Sequence, residues 1–406
     1  MKIFTATPMA VLNETDQDYN FFCRDMGLTC YALREKGVES QVVLLDFPGA
    51  KNHPDILRAT LQDMESAQWW KNLGLDAVVL GAWASPKYTS IAKAIKGSGA
   101  GLIVRCDSGG PYSQWQMTPF RVLYVNHLGP KYRGRGTAYA LLVSLIRSLA
   151  GYIPSYYEKK VVEHMTYADV IMNETPEGVR CLKNLLCRYG QIGAAARVQY
   201  VPHPVGKEMV FLPGIPKQKR IIAVGRWHSY QKNTPLLIQS LFRALNEHPD
   251  YEAHIFGSGT AELQALVAKA SGTIKNRICI RGKIPNEELV KEYQASRIFF
   301  APSRSESFNI AAAEALSCGC SFAGSGHIFS FRNFISKNTG TLARKYSVES
   351  MARALSVEIM AWDLGMRNPA ASAVQWASEV GQSAVAGRII DASKVLNRGR
   401  NANGRS

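Results

Sequence analysis

Short apolar stretches alternate with helical stretches along this chain, and a segment rich in proline and glycine interrupts the alternation once. In the first half, the stretches with the length and composition of strands are Lys2–Thr7, Gln41–Asp46, Asp76–Gly81, Leu102–Cys106, Asp169–Asn173 and Arg197–Val201. Helical patterns lie between them, such as Pro176–Cys187 before Gly190. Strands that alternate with helices form βαβ units, because parallel strands need a crossover connection. The first half is therefore predicted to contain a parallel sheet.

The interruption lies near the middle of the chain. Four prolines and two glycines fall between residues 202 and 216, a density that ends both helices and strands and is typical of a linker. The alternation then restarts with the predicted strands Arg220–Val224, Glu252–Phe256, Arg277–Arg281 and Arg297–Ala301. A chain of 406 residues is also long for a single core. We therefore predict two Rossmann-like, doubly wound α/β domains that face each other across a cleft, with ligands beyond the carboxyl ends of the strands.

These patterns also predict the domain boundaries. Residues 1–205 form the first domain, 206–218 the linker and 219–375 the second domain. Residues 376–406 are predicted to form a C-terminal helix and a basic tail, and a return of this segment to the first domain is left open.

The composition limits the partners of the chain. Its formal net charge is +16, which favours anionic partners such as nucleotides, nucleic acid or acidic lipid. No recognisable nucleic-acid-binding module accompanies the charge, so nucleic acid is not expected to bind. The eight cysteines form no C-x-x-C pair and are typical of reduced thiols. The first eight residues read as a strand and not as a signal peptide, so a cytoplasmic location is expected.

Two glutamates in the second half point to a ligand. Glu306 lies in a polar loop directly after the strand Arg297–Ala301, and Glu314 lies on the helix that this loop opens. A helix N-terminus presents free backbone N–H groups and binds phosphate, whereas carboxylates accept hydrogen bonds from hydroxyls. A ligand that has both phosphate and hydroxyl groups is a sugar nucleotide.

Other residues of the second half suit the same ligand. Gly225 and Arg226 follow a predicted strand, Lys232 comes shortly after them, and Phe256-Gly257-Ser258-Gly259 is another glycine-rich turn after a strand. Negative charge grows on a nucleoside diphosphate as it leaves a sugar, and two cations with N–H donors would stabilise it. No Asp-x-Asp stands at the sheet edges to hold a divalent ion, so no metal and no cofactor other than a nucleotide-sugar co-substrate are expected.

The second half resembles the retaining glycosyltransferases of family four, also called group one, which have the GT-B fold. The matching residues are Val224-Gly225-Arg226 with Lys232, Phe256-Gly257-Ser258-Gly259, and the segment from Pro302 to Gly319 that contains both glutamates. The resemblance covers roughly residues 219–355, where Ser347 is expected to begin a helix and Gly340 to form a turn. It is looser before that region.

The resemblance implies a role for each matching residue. Arg226 and Lys232 would hold the donor diphosphate, with backbone N–H groups of Ser307, Phe308, Asn309 and Ile310. Glu306 would contact the transferred sugar near the reaction centre, and Glu314 the ribose hydroxyls. The implied activity is a metal-independent, retaining transfer of a sugar from a UDP- or GDP-sugar to a hydroxyl of a glycan, a lipid or a small molecule.

The chain departs from the family pattern mainly on the acceptor side. The segment after the first strand, Pro8–Asp16, contains no glycine where many members have a Gly-Gly loop. Asp107 stands where many members place a histidine, so it is a second candidate catalytic residue that would orient a hydroxyl. Asn309 replaces a glycine of the donor loop, and asparagine adopts positive φ more easily than most residues.

Several alternatives remain open from the sequence. Another GT-B enzyme, of the phosphorylase or epimerase type, or a sugar-nucleotide binding protein without turnover would share the donor motifs. Residues 137–153 form either a buried helix or, with the basic stretch from Lys131, a surface in peripheral contact with an anionic membrane.

Overall fold

The chain folds into two α/β units. The structure is a computed structural model that describes residues 1–8, 22, 25–48, 50, 53–81, 88–106, 138, 142, 145, 155–269, 272–335 and 339–403. Of these, the residues within 1–117, 149–206 and 379–406 form the first unit, and those within 118–148 and 207–378 form the second. Asp107 and the segment Pro8–Asp16 beyond its first residue lie outside the described residues.

The first unit is built on a parallel sheet. Its described strands are Ile3–Thr7 (β1), Val42–Leu45 (β2), Ile56–Ala59 (β3), Ala77–Gly81 (β4), Gly101–Cys106 (β5), Val170–Asn173 (β6) and Val198–Tyr200 (β7). They are ordered β3-β2-β1-β4-β5-β6-β7, and every neighbouring pair is parallel. The order reverses direction at β1, as in doubly wound folds.

Helices cover this sheet and explain why its strands are almost continuously apolar. The described helices of the unit are Asp25–Glu35 (α1), Leu61–Met64 (α2), Ala67–Asn72 (α3), Thr89–Gly97 (α4), Ser155–Thr166 (α5), Pro176–Arg188 (α6) and Ile192–Ala196 (α7). The chain's last described helix, Gln382–Asn403, also packs here: Val385 and Ile389 lie in one buried cluster with Met26 and Leu33 of α1.

The second unit is built on another parallel sheet. Its described strands are Gln218–Val224 (β8), Glu252–Phe256 (β9), Ile278–Gly282 (β10), Ser296–Ala301 (β11), Ser321–Ser325 (β12) and Gly340–Ala343 (β13). They are ordered β10-β9-β8-β11-β12-β13, again with parallel pairs throughout. This order places the ends of β8 and β11 side by side. The predicted α/β class with two doubly wound sheets is confirmed.

Helices flank the second sheet as well. They are Thr234–Glu247 (α8), Thr260–Val267 (α9), Asn286–Ala295 (α10), Ile310–Ser317 (α11), Phe329–Asn333 (α12), Val348–Asp363 (α13) and Pro369–Val380 (α14), and Gln382–Asn403 follows as α15. Local residues set the ends of these helices: Ser347 accepts a hydrogen bond from the N–H of Ser350 and caps α13, as expected. Gly319, with φ of 82°, follows α11.

The described helices bear on the question of membrane crossing. Among the helices in the described part of the chain, none combines the length and the apolar character that a membrane crossing requires. Apart from residues 138, 142 and 145, the segment 131–153 lies outside the described residues. The membrane contact predicted for it therefore stays a prediction.

Candidate functional site

The predicted donor residues of the second unit lie in the loops at the carboxyl edge of its sheet. β8 ends at Val224 and β11 ends at Ala301, and the two strands are neighbours. The loop after β8 carries Lys232 on a short 3₁₀ helix, and the loop after β11 carries Glu306. Parallel neighbours end at the same edge, which is where ligands bind in sheets of this kind.

Lys232 and Glu306 form an ion pair between these two loops. Lys232 Nζ lies 2.6 Å from Glu306 Oε1, and the side chains are only 14% and 7% exposed. The backbone also joins the loops, because the N–H of Arg304 donates to the carbonyl oxygen of Gln231 at 2.7 Å. The two residues are far apart in sequence, and the sheet order brings them together.

Two further side chains hold the Glu306 carboxylate. The Ser303 hydroxyl donates to Oε1 at 2.6 Å, and the Gln231 amide lies 3.4 Å from Oε2 while it donates to the Ser305 carbonyl oxygen at 2.7 Å. Ser303 is almost fully buried, at 1% exposure. Sequence reasoning missed both residues. For Ser303, the only sequence signal is its position three residues before Glu306. For Gln231, no sequence signal indicates a contact with Glu306, because that contact depends on β8 and β11 being neighbours.

The N-terminus of α11 adjoins this pair. Asn309 has φ of 72°, so it adopts the left-handed conformation that the family's glycine at this position would adopt easily. Its side chain accepts a hydrogen bond from the N–H of Ala312 at 3.2 Å and thereby caps the helix. Among the hydrogen bonds of the described residues, none uses the N–H groups of Ser307, Ile310 or Ala311. These groups and the helix dipole give this end of α11 the capacity to bind an anion.

Glu314 lies farther along the same helix. Its Oε2 accepts a hydrogen bond at 3.1 Å from the hydroxyl of Tyr293, a fully buried residue. Burial, and then the neighbouring Glu314 carboxylate, raise the pKa of Tyr293, so the phenol stays a donor. The tyrosine holds one carboxylate oxygen of Glu314, which is itself partly exposed.

The glycines of this edge allow its loops to pack closely. Gly257 has φ of 113°, and a Cβ atom on it would lie 1.9 Å from the carbonyl oxygen of Gly225. A Cβ atom on Gly225 would in turn lie 3.3 Å from Lys232 Cδ, which shows that the lysine stem passes over this glycine. Trp227 is buried and donates from Nε1 to the Phe256 carbonyl oxygen at 2.8 Å. The glycines thus let the lysine reach Glu306.

The remaining predicted residues make no described side-chain contact with the Lys232–Glu306 pair. Arg226 follows Gly225 with an exposed side chain, and Phe308 turns its ring into the core, where it lies 5.4 Å from the ring centroid of Phe334. The role predicted for Phe308 therefore concerns its backbone and not its side chain. Asp107 lies outside the described residues.

Comparison with known proteins shows which families and structures the chain resembles. Residues 218–357 match the family model described as Glycosyl transferases group 1. The chain is 23% identical over 160 residues to the lipopolysaccharide core biosynthesis mannosyltransferase LpcC of Rhizobium leguminosarum bv. viciae, which is 38% of this chain and 45% of the relative. It is 34% identical over 115 residues to the D-inositol 3-phosphate glycosyltransferase of Corynebacterium jeikeium (strain K411), which is 26% of this chain and 27% of the relative. The matches therefore span less than half of either relative.

A solved structure extends the similarity to nearly the whole chain. Anabaena Alr3699/HepE in complex with UDP superposes with a TM-score of 0.63 at 12% identity, over 96% of this chain and 99% of HepE. At this identity the likeness concerns the fold alone. Residues 218–357 thus match the group 1 glycosyltransferase family model, and the chain as a whole has the GT-B fold.

Proposed function

We propose that this protein is a retaining glycosyltransferase that moves a sugar from a nucleotide-diphosphate sugar, a UDP- or GDP-sugar, to a hydroxyl of an acceptor. The observation that carries the proposal is the buried Lys232–Glu306 pair beside the N-terminus of α11. This arrangement offers a cation, a carboxylate and free N–H groups in one place, and a sugar nucleotide has a complementary group for each of them.

In the proposed reaction, Lys232, Arg226 and the N–H groups from Ser307 to Ile310 bind the diphosphate. Charge on this group increases as the bond to the sugar breaks. One cation about 4 Å away contributes about 4 kcal/mol at an effective dielectric constant of about 20. Preorganised donors of this kind stabilise a leaving group in the way an oxyanion hole does, so the proposed step uses no metal ion.

The two glutamates have separate roles in the proposal. Glu306 contacts the transferred sugar, and its donors Ser303 and Lys232 fix it in position. Glu314 is held by Tyr293 and accepts hydrogen bonds from the ribose hydroxyls. Asp107 is proposed, from its sequence position alone, to orient a hydroxyl on the acceptor side.

The relatives support the class of substrate. HepE is described in complexes with UDP and with UDP-glucose, which favours a nucleotide-sugar donor for this chain too. Residues 1–205 are proposed to bind the acceptor, whose identity is left to experiment. A lipid acceptor would suit the peripheral membrane contact predicted for residues 131–153.

A donor screen tests the proposal. Purified protein is incubated with UDP- and GDP-sugars, and release of the nucleoside diphosphate is measured with Glu306→Gln as the control. We expect release with one donor class, enhanced by an acceptor, and a product with the anomeric configuration of the donor by NMR. Release that requires inorganic phosphate would indicate a phosphorylase, and isomerisation of the donor an epimerase. Binding without any turnover would contradict the enzyme proposal.

A further inference from the structure

A second group of polar side chains lies on the second sheet, away from the ends of its strands. His254 of β9 and Cys279 of β10 are register partners on neighbouring parallel strands. Ala253 and Ile255 belong to the buried core cluster on one face of the sheet. Since side chains alternate along a strand, His254 points to the opposite face, and Glu252 and Cys279 share it.

These three side chains are close enough to share one ion. A nitrogen of His254, a carboxylate oxygen of Glu252 and the sulfur of Cys279 all lie within 4.8 Å of one another. His254 Nε2 is 3.1 Å from Glu252 Oε1. Its Nδ1 is 3.4 Å from Glu292 Oε2 of α10 but makes no hydrogen bond of acceptable geometry, although the side chain is only 6% exposed. The imidazole is therefore buried with one nitrogen incompletely satisfied.

The charged side chains around His254 have an excess of negative charge, which favours a cation. Arg220 donates to Glu252 and to Glu292 at 2.8 Å each, so one positive charge faces two negative charges. Arg281 also lies near Cys279, but it is exposed and its charge is screened by solvent. The two carboxylates and the one guanidinium give this group a formal charge of −1. A divalent ion with a cysteine thiolate would bring it to about zero.

We propose that Glu252, His254 and Cys279 form a binding site for a borderline-soft divalent cation of the Zn²⁺ class. Thiolate, imidazole and carboxylate are the ligand types of such ions. In tetrahedral zinc sites with bond lengths of about 2.0–2.3 Å, the ligand atoms lie about 3.3–3.6 Å apart. The three ligand atoms here would therefore have to move by about 1 Å through side-chain rotation to bind the ion. Glu292 or a water molecule takes the fourth position.

The site has a different location from the donor residues and a different role. Glu252 and His254 are the first and third residues of β9, whereas Gly257 and Lys232 lie beyond the carboxyl ends of their strands. β10 is at the edge of the sheet formed by the described strands. An ion held between β9 and β10 would fasten this edge strand, so the site is a structural one and takes no part in the sugar transfer.

Metal titration of untagged protein tests the site. The protein is treated with EDTA and exchanged into metal-free buffer. It is then titrated with Co²⁺, whose bond to a thiolate gives a charge-transfer absorption, and with Zn²⁺ in competition with a chromogenic chelator. We expect one equivalent per chain, a thiolate-to-cobalt band that Zn²⁺ removes, and a melting temperature that rises with Zn²⁺.

Variants assign the ligands. Cys279→Ala should abolish the band and weaken Zn²⁺ binding by about 100-fold or more, whereas Cys187→Ala, which removes an exposed thiol on α6, should change neither. If Cys279→Ala does not fold, Glu252→Gln changes a partly exposed side chain and should weaken binding similarly. Absence of one-to-one binding, or an unchanged band in Cys279→Ala, would overturn the proposal.

Discussion

Replacing Lys232 by methionine separates the structural from the catalytic role of the Lys232–Glu306 pair. Two unit charges 2.6 Å apart attract each other by about 6 kcal/mol at an effective dielectric constant of about 20. Desolvation offsets much of this energy, and removal of one partner of a buried pair typically costs about 3–5 kcal/mol. Ser303 and Gln231 still face the carboxylate. We therefore expect Lys232→Met to lower the free energy of unfolding by about 3 kcal/mol.

The double variant Lys232→Met with Glu306→Gln tests whether the loss of stability comes from the unpaired Glu306 charge. The glutamine removes the unpaired charge, so most of the lost stability should return, whereas donor turnover should not. Urea unfolding followed by tryptophan fluorescence measures the stability, and Trp227 beside the pair reports on the second unit. Nucleotide release measures the turnover.

Lys219→Met is the matched control in the same unit. Lys219 pairs with Asp250, and both side chains are largely exposed, at 41% and 51%. Exposed ion pairs contribute little to stability because solvent screens them, so this variant should stay close to the parent. If Lys232→Met costs no more than Lys219→Met, or if Glu306→Gln fails to restore stability, the pair is not the buried, coupled unit described above.

Four further outcomes can be measured. Glu306→Gln should lower kcat by about 100- to 1000-fold, or about 2.7–4 kcal/mol, with little change in the donor Kd by calorimetry; activity within twofold of the parent would contradict its role. Asn309→Ala should destabilise the protein by about 1–2 kcal/mol in urea unfolding, because it loses a cap and strains a positive φ, while Asn309→Gly should cost only a few tenths of a kcal/mol. Gly257→Ala should abolish donor binding by thermal shift, since its Cβ would overlap the Gly225 carbonyl oxygen; unchanged binding would refute the close packing. Burial lowers the pKa of His164 to about 4, below its unfolded value of about 6.5, so the unfolded state binds the proton first and stability should fall as pH drops from about 6.5 to 4. His164→Gln should flatten that dependence.

Much of the second unit could be predicted from local sequence. β9 has the predicted bounds Glu252–Phe256, and β11 ends at the predicted Ala301. β12 was missed because Ser321-Phe-Ala-Gly-Ser325 has little strand propensity of its own, and its pairing with β11 and β13 decides its conformation. Gly340 was expected to form a turn, but it begins β13, where a Cβ atom would lie 2.1 Å from the Phe322 carbonyl oxygen. The glycine there serves close strand packing.

The candidate site shows the same division between local and non-local information. Glu306, Asn309 and Glu314 lie in one continuous segment, so the spacing of their residue types predicted a phosphate-binding helix end. Lys232 could be proposed as a donor-site cation from its place after a strand, but its contact with Glu306 could not be predicted, since that contact depends on β8 and β11 being neighbours.

The donors that hold Glu306 indicate how its carboxylate would act. Oε1 accepts hydrogen bonds from Ser303 and Lys232, and Oε2 faces the Gln231 amide, so donors approach both oxygens. A carboxylate with donors at both oxygens is held in a fixed orientation, and each oxygen can accept more than one hydrogen bond. Glu306 is therefore suited to accept further hydrogen bonds from hydroxyls of the transferred sugar, and the departing diphosphate depends on cations and N–H groups for its stabilisation.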